Sequence, residues 1–251
     1  MPKVSVIVAV HNKADYILQT LTSVLKQSFR DYECLIADDG SKDESFKIAS
    51  LFPQLNPRFH LFKDEACKGT SRTLNTLLEI ASGELVCQLD GDDILPVYAI
   101  ETLVKYLENN KDTGFVYTDG QWIDSRGEYI KNKSYQYRKP CDPIYWLSHP
   151  CALHFKMWRN CNLRFDENIT FGEDWDFNLN LMHTCKVHHL REIHYLQRYC
   201  PFSKSWTVPT HNQEKELFKI HRKWKRKYLW KRGLPRPVNW SKHVIQVVKD
   251  A

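Results

Sequence analysis

Over its first 110 residues the chain alternates apolar runs of strand length with segments of helical periodicity, a rhythm that few architectures accept. Residues 4–10 are an unbroken apolar run, and 32–37, 59–62 and 84–89 are further strand-like runs. Between them, Tyr16, Ile17, Leu21, Val24 and Leu25 recur on one helical face. So do Phe46, Ile48, Ala49, Leu51 and Phe52, in a helix that Ser41 or Asp43 can cap and that should stop before Pro53. Helical patterns over 70–81 and 97–108 complete the series. Continuous apolar strands separated by helices specify a mostly parallel sheet covered on both faces.

The alternation ends at Asn109. Residues 115–123 and 128–133 flank Asp124-Ser125-Arg126-Gly127 and read as an antiparallel hairpin. Residues 138–170 look irregular and hold Trp146, His149, His154 and Trp158; 173–183 read as a short helix and 194–199 as a strand-like piece. At 251 residues, with no internal repeat or low-complexity linker, the chain is expected to form one α/β domain over 1–210 and an extension over 211–251.

Charge marks off that extension. Residues 211–251 carry 12 Lys/Arg against 3 Asp/Glu, whereas the remainder carries 24 against 27. Leu217, Ile220, Trp224 and Tyr228 share one helical face, flanked by Lys215, Lys219, Arg222, Lys223, Lys225, Arg226 and Lys227. A basic amphipathic helix with tryptophan suits an anionic membrane surface, which is the favoured reading of 211–232; the competing one packs the stripe on the domain. Nucleic acid is not expected as a partner, because no nucleic-acid motif accompanies the charge. No apolar run approaches the ~18–20 residues that cross a bilayer. His11-Asn12-Lys13 and Asp15 interrupt the apolar amino terminus, so it does not read as a signal sequence. A cytoplasmic protein, peripheral on the inner face of the membrane, is expected. Cys34 and Cys87 lie in strands, and Cys141, Cys151 and Cys161 form no Cys-x-x-Cys pair, so no structural zinc is expected.

Four polar segments punctuate this framework. Leu89-Asp90-Gly91-Asp92-Asp93 follows the fourth strand, and a divalent cation with oxygen ligands would relieve its crowded negative charge. A turn that caps the next helix would use the same residues, and Asp93 could simply start that helix. Asp38-Asp39-Gly40-Ser41-Lys42-Asp43 ends the second strand, where a carboxylate can accept from a nucleobase or ribose, or merely turn the chain. Lys68-Gly69-Thr70-Ser71-Arg72 opens a helix whose amides and two cations could hold a diphosphate, without being a Walker loop. Phe171-Gly172-Glu173-Asp174-Trp175-Asp176 opens another helix. It can present a general base ionised at neutral pH, since free Asp has a pKa near ~3.9, beside an aromatic suited to a sugar ring.

Taken in order, together with Val4-Ser5-Val6-Ile7-Val8-Ala9-Val10-His11-Asn12, these segments resemble glycosyltransferase family 2 from about residue 3 to about residue 205. The resemblance implies a GT-A, Rossmann-like fold and an inverting sugar transferase. Its donor would be a nucleotide-sugar, first of all a UDP-sugar, and its acceptor a hydroxyl of a glycan or lipid-linked saccharide. The nucleotide-sugar half would be 1–110 and the acceptor and catalytic half 111–210. Position by position, the resemblance puts Val10 and Asn12 along the nucleotide pocket, Asp39 on the base or ribose, and Arg72 near the base or diphosphate. Asp90 falls on the ribose side, Asp92 becomes the direct ligand of Mn²⁺ or Mg²⁺, and Asp174 is the catalytic base. Arg198, in Tyr195-Leu196-Gln197-Arg198-Tyr199, and Ser203-x-Ser205 would close over the diphosphate. Glu173, Trp175 and Trp146 are expected on the acceptor side. The chain departs from the family in having His11 where a tyrosine is frequent, and it lacks the Gln-x-x-Arg-Trp signature of processive synthases. Two other readings are a sugar-phosphate nucleotidyltransferase and a non-catalytic nucleotide-sugar-binding module that docks on membranes. The first lacks its glycine-rich loop after strand one, and the intact Asp90-x-Asp92 and Glu173-Asp174 speak against the second.

Overall fold

Strand β1 (Val4–Val10) shows why the apolar runs are unbroken: alternate residues enter different cores. Val4, Val6, Val8 and Val10 pack with helices α1 (Ile17–Leu25) and α5 (Ala99–Asn109), while Ile7 points to the opposite face, toward α4 (Thr70–Ile80). Both faces are covered, and the strand's one polar residue, Ser5, is buried with its Oγ donating to Glu33 Oε1 at 2.6 Å and accepting from Gly83 N at 2.9 Å. The structure is a computed structural model and describes residues 1–135, 153–199 and 210–232.

β1 pairs in parallel with β2 (Tyr32–Asp39) and β4 (Leu85–Gln88), and β2 in parallel with β3 (Phe59–Asp64). The sheet continues beyond β4 with β7 (Lys156–Arg159), then β5 (Thr113–Ile123) and β6 (Tyr129–Tyr135), and β8 (Lys186–Arg198) runs parallel along β5. The sheet is mostly parallel as expected, and mixed in that β7 is antiparallel to both β4 and β5. The hairpin at 124–127 forms as read: Asp124 N donates to Glu128 O at 2.8 Å, and Gly127 has a φ of 92°.

Three local expectations change. Strand β7 lies inside the stretch read as irregular, because Lys156 breaks its apolar pattern. That lysine is buried, and its Nζ donates to the carbonyl of Leu153 at 3.1 Å. The helix expected to stop before Pro53 is two short ones, α2 (Ser45–Ala49) and α3 (Leu51–Leu55), and Pro53 lies in the first turn of α3. Proline is accommodated there because first-turn amides have no intrahelical acceptor to lose. Finally, Ser41 joins the turn after β1 instead of capping α2, while Asp43 does both, its Oδ1 accepting from Ser45 N, the first amide of α2, at 3.0 Å. Asn12 N donates to Ser41 Oγ at 3.0 Å, and Ala14 N to Asp43 Oδ2 at 3.0 Å.

The C-terminal helix α7 (Thr210–Arg232) is part of the second core. Leu217, Ile220 and Trp224 are 4%, 0% and 0% exposed, packed in one cluster with residues of helix α6 (Glu173–Thr184). Trp224 Nε1 donates to Asp176 Oδ1 at 2.6 Å, and Lys223 Nζ sits 2.9 Å from both Asp166 and Asp176. The apolar stripe assigned to a membrane is therefore spent on the domain, since a side chain buried there has no surface left to insert. The Tyr228 side chain lies outside the described residues. Among the described residues no helix is long and apolar enough to cross a membrane.

Candidate active site

The carboxyl ends of β1, β2 and β4 meet at one edge of the sheet, and their turns are stitched together by side chains. After β1, Asn12 adopts φ 52°, a left-handed conformation that asparagine tolerates better than most residues. In that pose its Oδ1 accepts from Lys42 N at 2.8 Å while its own amide reaches Ser41. Val10 matches Asp38 in register, and its side chain is buried in the first core. With that side chain in the core, it is the backbone of Val10 that borders the cleft edge.

Asp39 ends β2 with its carboxylate turned into the loop before α4. Lys68 N donates to Oδ1 at 2.6 Å, Gly69 N to Oδ2 at 2.9 Å, and Cys67 Sγ to Oδ2 at 3.1 Å. The segment read as a diphosphate cradle is thus hung on the carboxylate read as the base or ribose contact. Arg72, in the first turn of α4, is exposed, and no side-chain partner is recorded for it among the described residues.

The turn after β4 passes close to β1. A Cβ on Gly91 would lie 3.2 Å from the carbonyl of Ala9, which favours glycine there. Thr20 Oγ1 holds the Gly91 carbonyl at 3.2 Å. The three aspartates then diverge. Asp90 accepts from Gln88 Nε2 at 3.1 Å and lies 3.8 Å from His154 Nδ1. Asp92 pairs with Lys13 Nζ at 2.5 Å. Asp93 is buried, accepting from Tyr195 Oη at 2.6 Å and from Arg198 N at 2.7 Å. Asp93 does not start a helix, since α5 begins at Ala99; it anchors β8 to the turn.

Electrostatics separates them further. Burial, then the negative charges of Asp92 and Asp90, push the Asp93 carboxyl well above the ordinary carboxylate range. Burial works in the same direction on Asp90, but the His154 ring, the Lys156 ammonium and the Gln88 amide outweigh it and hold that carboxyl low. Asp90, Asp93 and His154 each offer a ligand atom within 4.8 Å of the others, and Asp92 stands beside them on its lysine. Clustered carboxylates suit a hard cation such as Mn²⁺ or Mg²⁺, whose charge would relieve the repulsion felt at Asp93.

Arg198 is the best-anchored cation of the site. Its Nε donates to Asp92 O at 2.8 Å, Nη1 to Asp124 O and Ser125 O at 2.9 and 2.8 Å, and Nη2 to Gln19 Oε1 at 2.7 Å. The guanidinium also lies 4.8 Å from the centre of the Tyr16 ring. Nearly all its donors are consumed, so Arg198 clamps the metal-side turn, the hairpin and α1 together rather than reaching a diphosphate.

Asp174 stands in the first turn of α6, partly exposed, with Oδ1 accepting from Trp175 N at 2.7 Å. Gly172 before it has φ 76°, and a Cβ there would press within 3.0 Å of Leu217 on α7, so the helix start is fitted to α7. Glu173 is partly exposed. Trp175 is 1% exposed within the second core, which corrects its reading as a platform for a sugar ring. Trp146, Ser203 and Ser205 lie outside the described residues. Sequence reasoning missed the Lys13–Asp92 pair, the Asp93 anchor and the approach of His154 to Asp90. Each joins segments about 60 to 105 residues apart, and no local pattern signals such pairs.

Comparison with known proteins bears on the family and the fold. The family model described as glycosyl transferase family 2 matches residues 5–168. Chondroitin synthase of Escherichia coli is 31% identical over 203 residues, which is 78% of this chain but 29% of that protein's length. The chain therefore spans well under half of that relative. Among solved structures, S. aureus TarS 1-349 in complex with UDP-GlcNAc superposes with a TM-score of 0.73 at 18% identity, covering 99% of this chain and 71% of that one. The mannosyltransferase PcManGT of Pyrobaculum calidifontis, in complex with GDP-Man and Mn²⁺, has a TM-score of 0.66 at 16% identity, covering 99% of this chain and 68% of that one. With these two structures the likeness is one of fold.

Proposed function

The chain belongs to glycosyl transferase family 2, and on that footing we propose that it is a metal-dependent, inverting glycosyltransferase. It moves a sugar, a hexose or N-acetylhexosamine, from a nucleotide-sugar to a hydroxyl of a glycan or lipid-linked acceptor. A UDP-sugar is the first donor to test. The observation that carries this reading is the convergence of Asp39, from β2, with Asp90, Asp92 and Asp93, from the turn after β4, at one sheet edge. The ligands named for the two structural neighbours, UDP-GlcNAc in one and GDP-Man with Mn²⁺ in the other, support it.

Asp39 and the backbone at Val10 and Asn12 border the base and ribose, with Asp90 on the ribose side. Asp92, beside the Asp90, Asp93 and His154 group, would hold Mn²⁺ or Mg²⁺, which when bound neutralises charge on the departing nucleoside diphosphate. Arg72 is the exposed cation available to the diphosphate, because Arg198 is committed to protein oxygens. Asp174 takes the proton of the acceptor hydroxyl as that oxygen attacks the anomeric carbon from the side opposite the leaving group. A single displacement inverts the centre and needs no covalent intermediate. Glu173 borders the acceptor. The basic flank of α7 would offer charge to an anionic membrane surface, while Leu217, Ile220 and Trp224 of its stripe are buried on the domain.

Hydrolysis of a panel of nucleotide-sugars, with and without added Mn²⁺, tests the proposal without an acceptor. Metal-dependent release of nucleoside diphosphate from one donor is expected. Absence of binding and hydrolysis across the panel would overturn the reading.

A further inference from the structure

We propose that His11, Asp39 and Cys67 form a second metal site, for Zn²⁺, at the nucleotide edge of the cleft, and that its occupation competes with the donor. The competition, though not the site itself, rests on the donor reading above. One ligand atom from each of these residues lies within 4.8 Å of the others. His11 and Cys67 are exposed, so an ion can reach them, while Asp39 is buried beneath.

The donor set is what separates this site from the aspartate group after β4. A thiolate, an imidazole and a carboxylate make a soft to borderline set that selects Zn²⁺, whereas a cluster dominated by carboxylates suits Mn²⁺ or Mg²⁺. Three protein ligands also leave the fourth position of a tetrahedral ion open to water. The set is partly preorganised, because the amides of Lys68 and Gly69 fix the Asp39 carboxylate at 2.6 and 2.9 Å, with Cys67 Sγ 3.1 Å from Oδ2. The His11 ring is tied through Nδ1 to the Asp39 carbonyl at 2.8 Å and through Nε2 to Asn12 Nδ2 at 3.1 Å. Binding exchanges one of these ring hydrogen bonds for a metal bond, and the other keeps the ring oriented. The Cys67 thiol gives its proton to solvent as the Zn–S bond forms. The amino terminus of α4, three residues along, favours the resulting thiolate electrostatically.

Zn²⁺ on Asp39 would occupy the carboxylate assigned to the base or ribose. Donor binding and Zn²⁺ binding are then mutually exclusive, and the protein loses affinity for its donor when free zinc rises.

The test titrates the full, reduced chain with CoCl₂ and ZnCl₂. Co²⁺ should give a thiolate-to-metal charge-transfer band that Zn²⁺ abolishes, and Cys67→Ser should lose the band. Cys67→Ser and His11→Ala should each weaken one Zn²⁺ equivalent by at least about tenfold, the effect that loss of even an outer-shell partner can have. Zn²⁺ should raise the apparent Kd for UDP in the wild type and not in Cys67→Ser, which also controls for zinc held by UDP in solution. No thiolate band, or equal Zn²⁺ affinity in all three proteins, overturns the site. A band lost in Cys67→Ser with UDP affinity indifferent to zinc overturns the competition. Failure of UDP to bind the metal-free or Mn²⁺-loaded chain counts against the UDP reading alone, because the cobalt band decides the site without nucleotide.

Discussion

Lys13 Nζ lies 2.5 Å from the Asp92 carboxylate, so the side chain assigned to the catalytic cation already holds a positive charge. The pair is partly exposed, at 25% and 13% for the two side chains, and a metal must displace the lysine. Exposed ion pairs are worth about 0.2–1 kcal/mol. Lys13→Met should therefore tighten Mn²⁺ binding about 1.4- to 5-fold in calorimetric titration without nucleotide. An unchanged Kd would mean that Asp92 is not a ligand.

Replacing Asp174 with Asn keeps its size and removes its basicity. Sugar transfer should fall by about 10²–10⁴-fold, while UDP affinity, measured by titration, stays within about twofold. Turnover equal to the wild type would sink the assignment of the base.

Trp224 donates to the buried Asp176, two residues beyond Asp174. Trp224→Phe leaves that carboxylate oxygen short of a donor and should cost about 1–3 kcal/mol. Trp224→Ala should cost about 3–5 kcal/mol. Urea unfolding reads both, and wild-type midpoints would show that α7 is no part of the core.

The pH dependence of stability should carry a histidine signature. Burial and then Lys225 hold His221 below its ordinary 6.5, and burial, His189 and Lys186 do the same to His188. Each is neutral in the fold, whereas the unfolded chain takes up protons below 6.5. Their contribution is complete above pH 6.5 and is lost as pH falls through the lowered folded values. Asp43 and Asp166 are held below 3.8, so their stabilisation fails only at lower pH. The urea midpoint should decline as pH falls below 6.5, and less steeply in His221→Gln. Identical profiles for the two proteins would refute the histidine origin.

Much of the fold was legible because the governing interactions are local. Strands β1, β2 and β4 are short apolar runs closed by polar turns, and α1, α4 and α5 each keep one buried face. β7 is not legible because its first residue, a buried lysine that donates to a carbonyl nearby, looks in sequence like a surface residue. The basic helix was assigned to a membrane because an amphipathic stripe does not say what covers it; Asp176 and the second core do.

For the site, the sequence by itself determined which carboxylates stand at the sheet edge, since strand ends fix Asp39 and the Asp90–Asp93 turn by register alone. Only the tertiary structure decided their different fates. Lys13 comes to Asp92 from across 79 residues, Arg198 to Asp93 from across 105, and Cys67 to Asp39 from across 28. Charge and hydrogen-bond partners depend on distance in space, and at such separations along the chain that distance exists only once the sheet has closed.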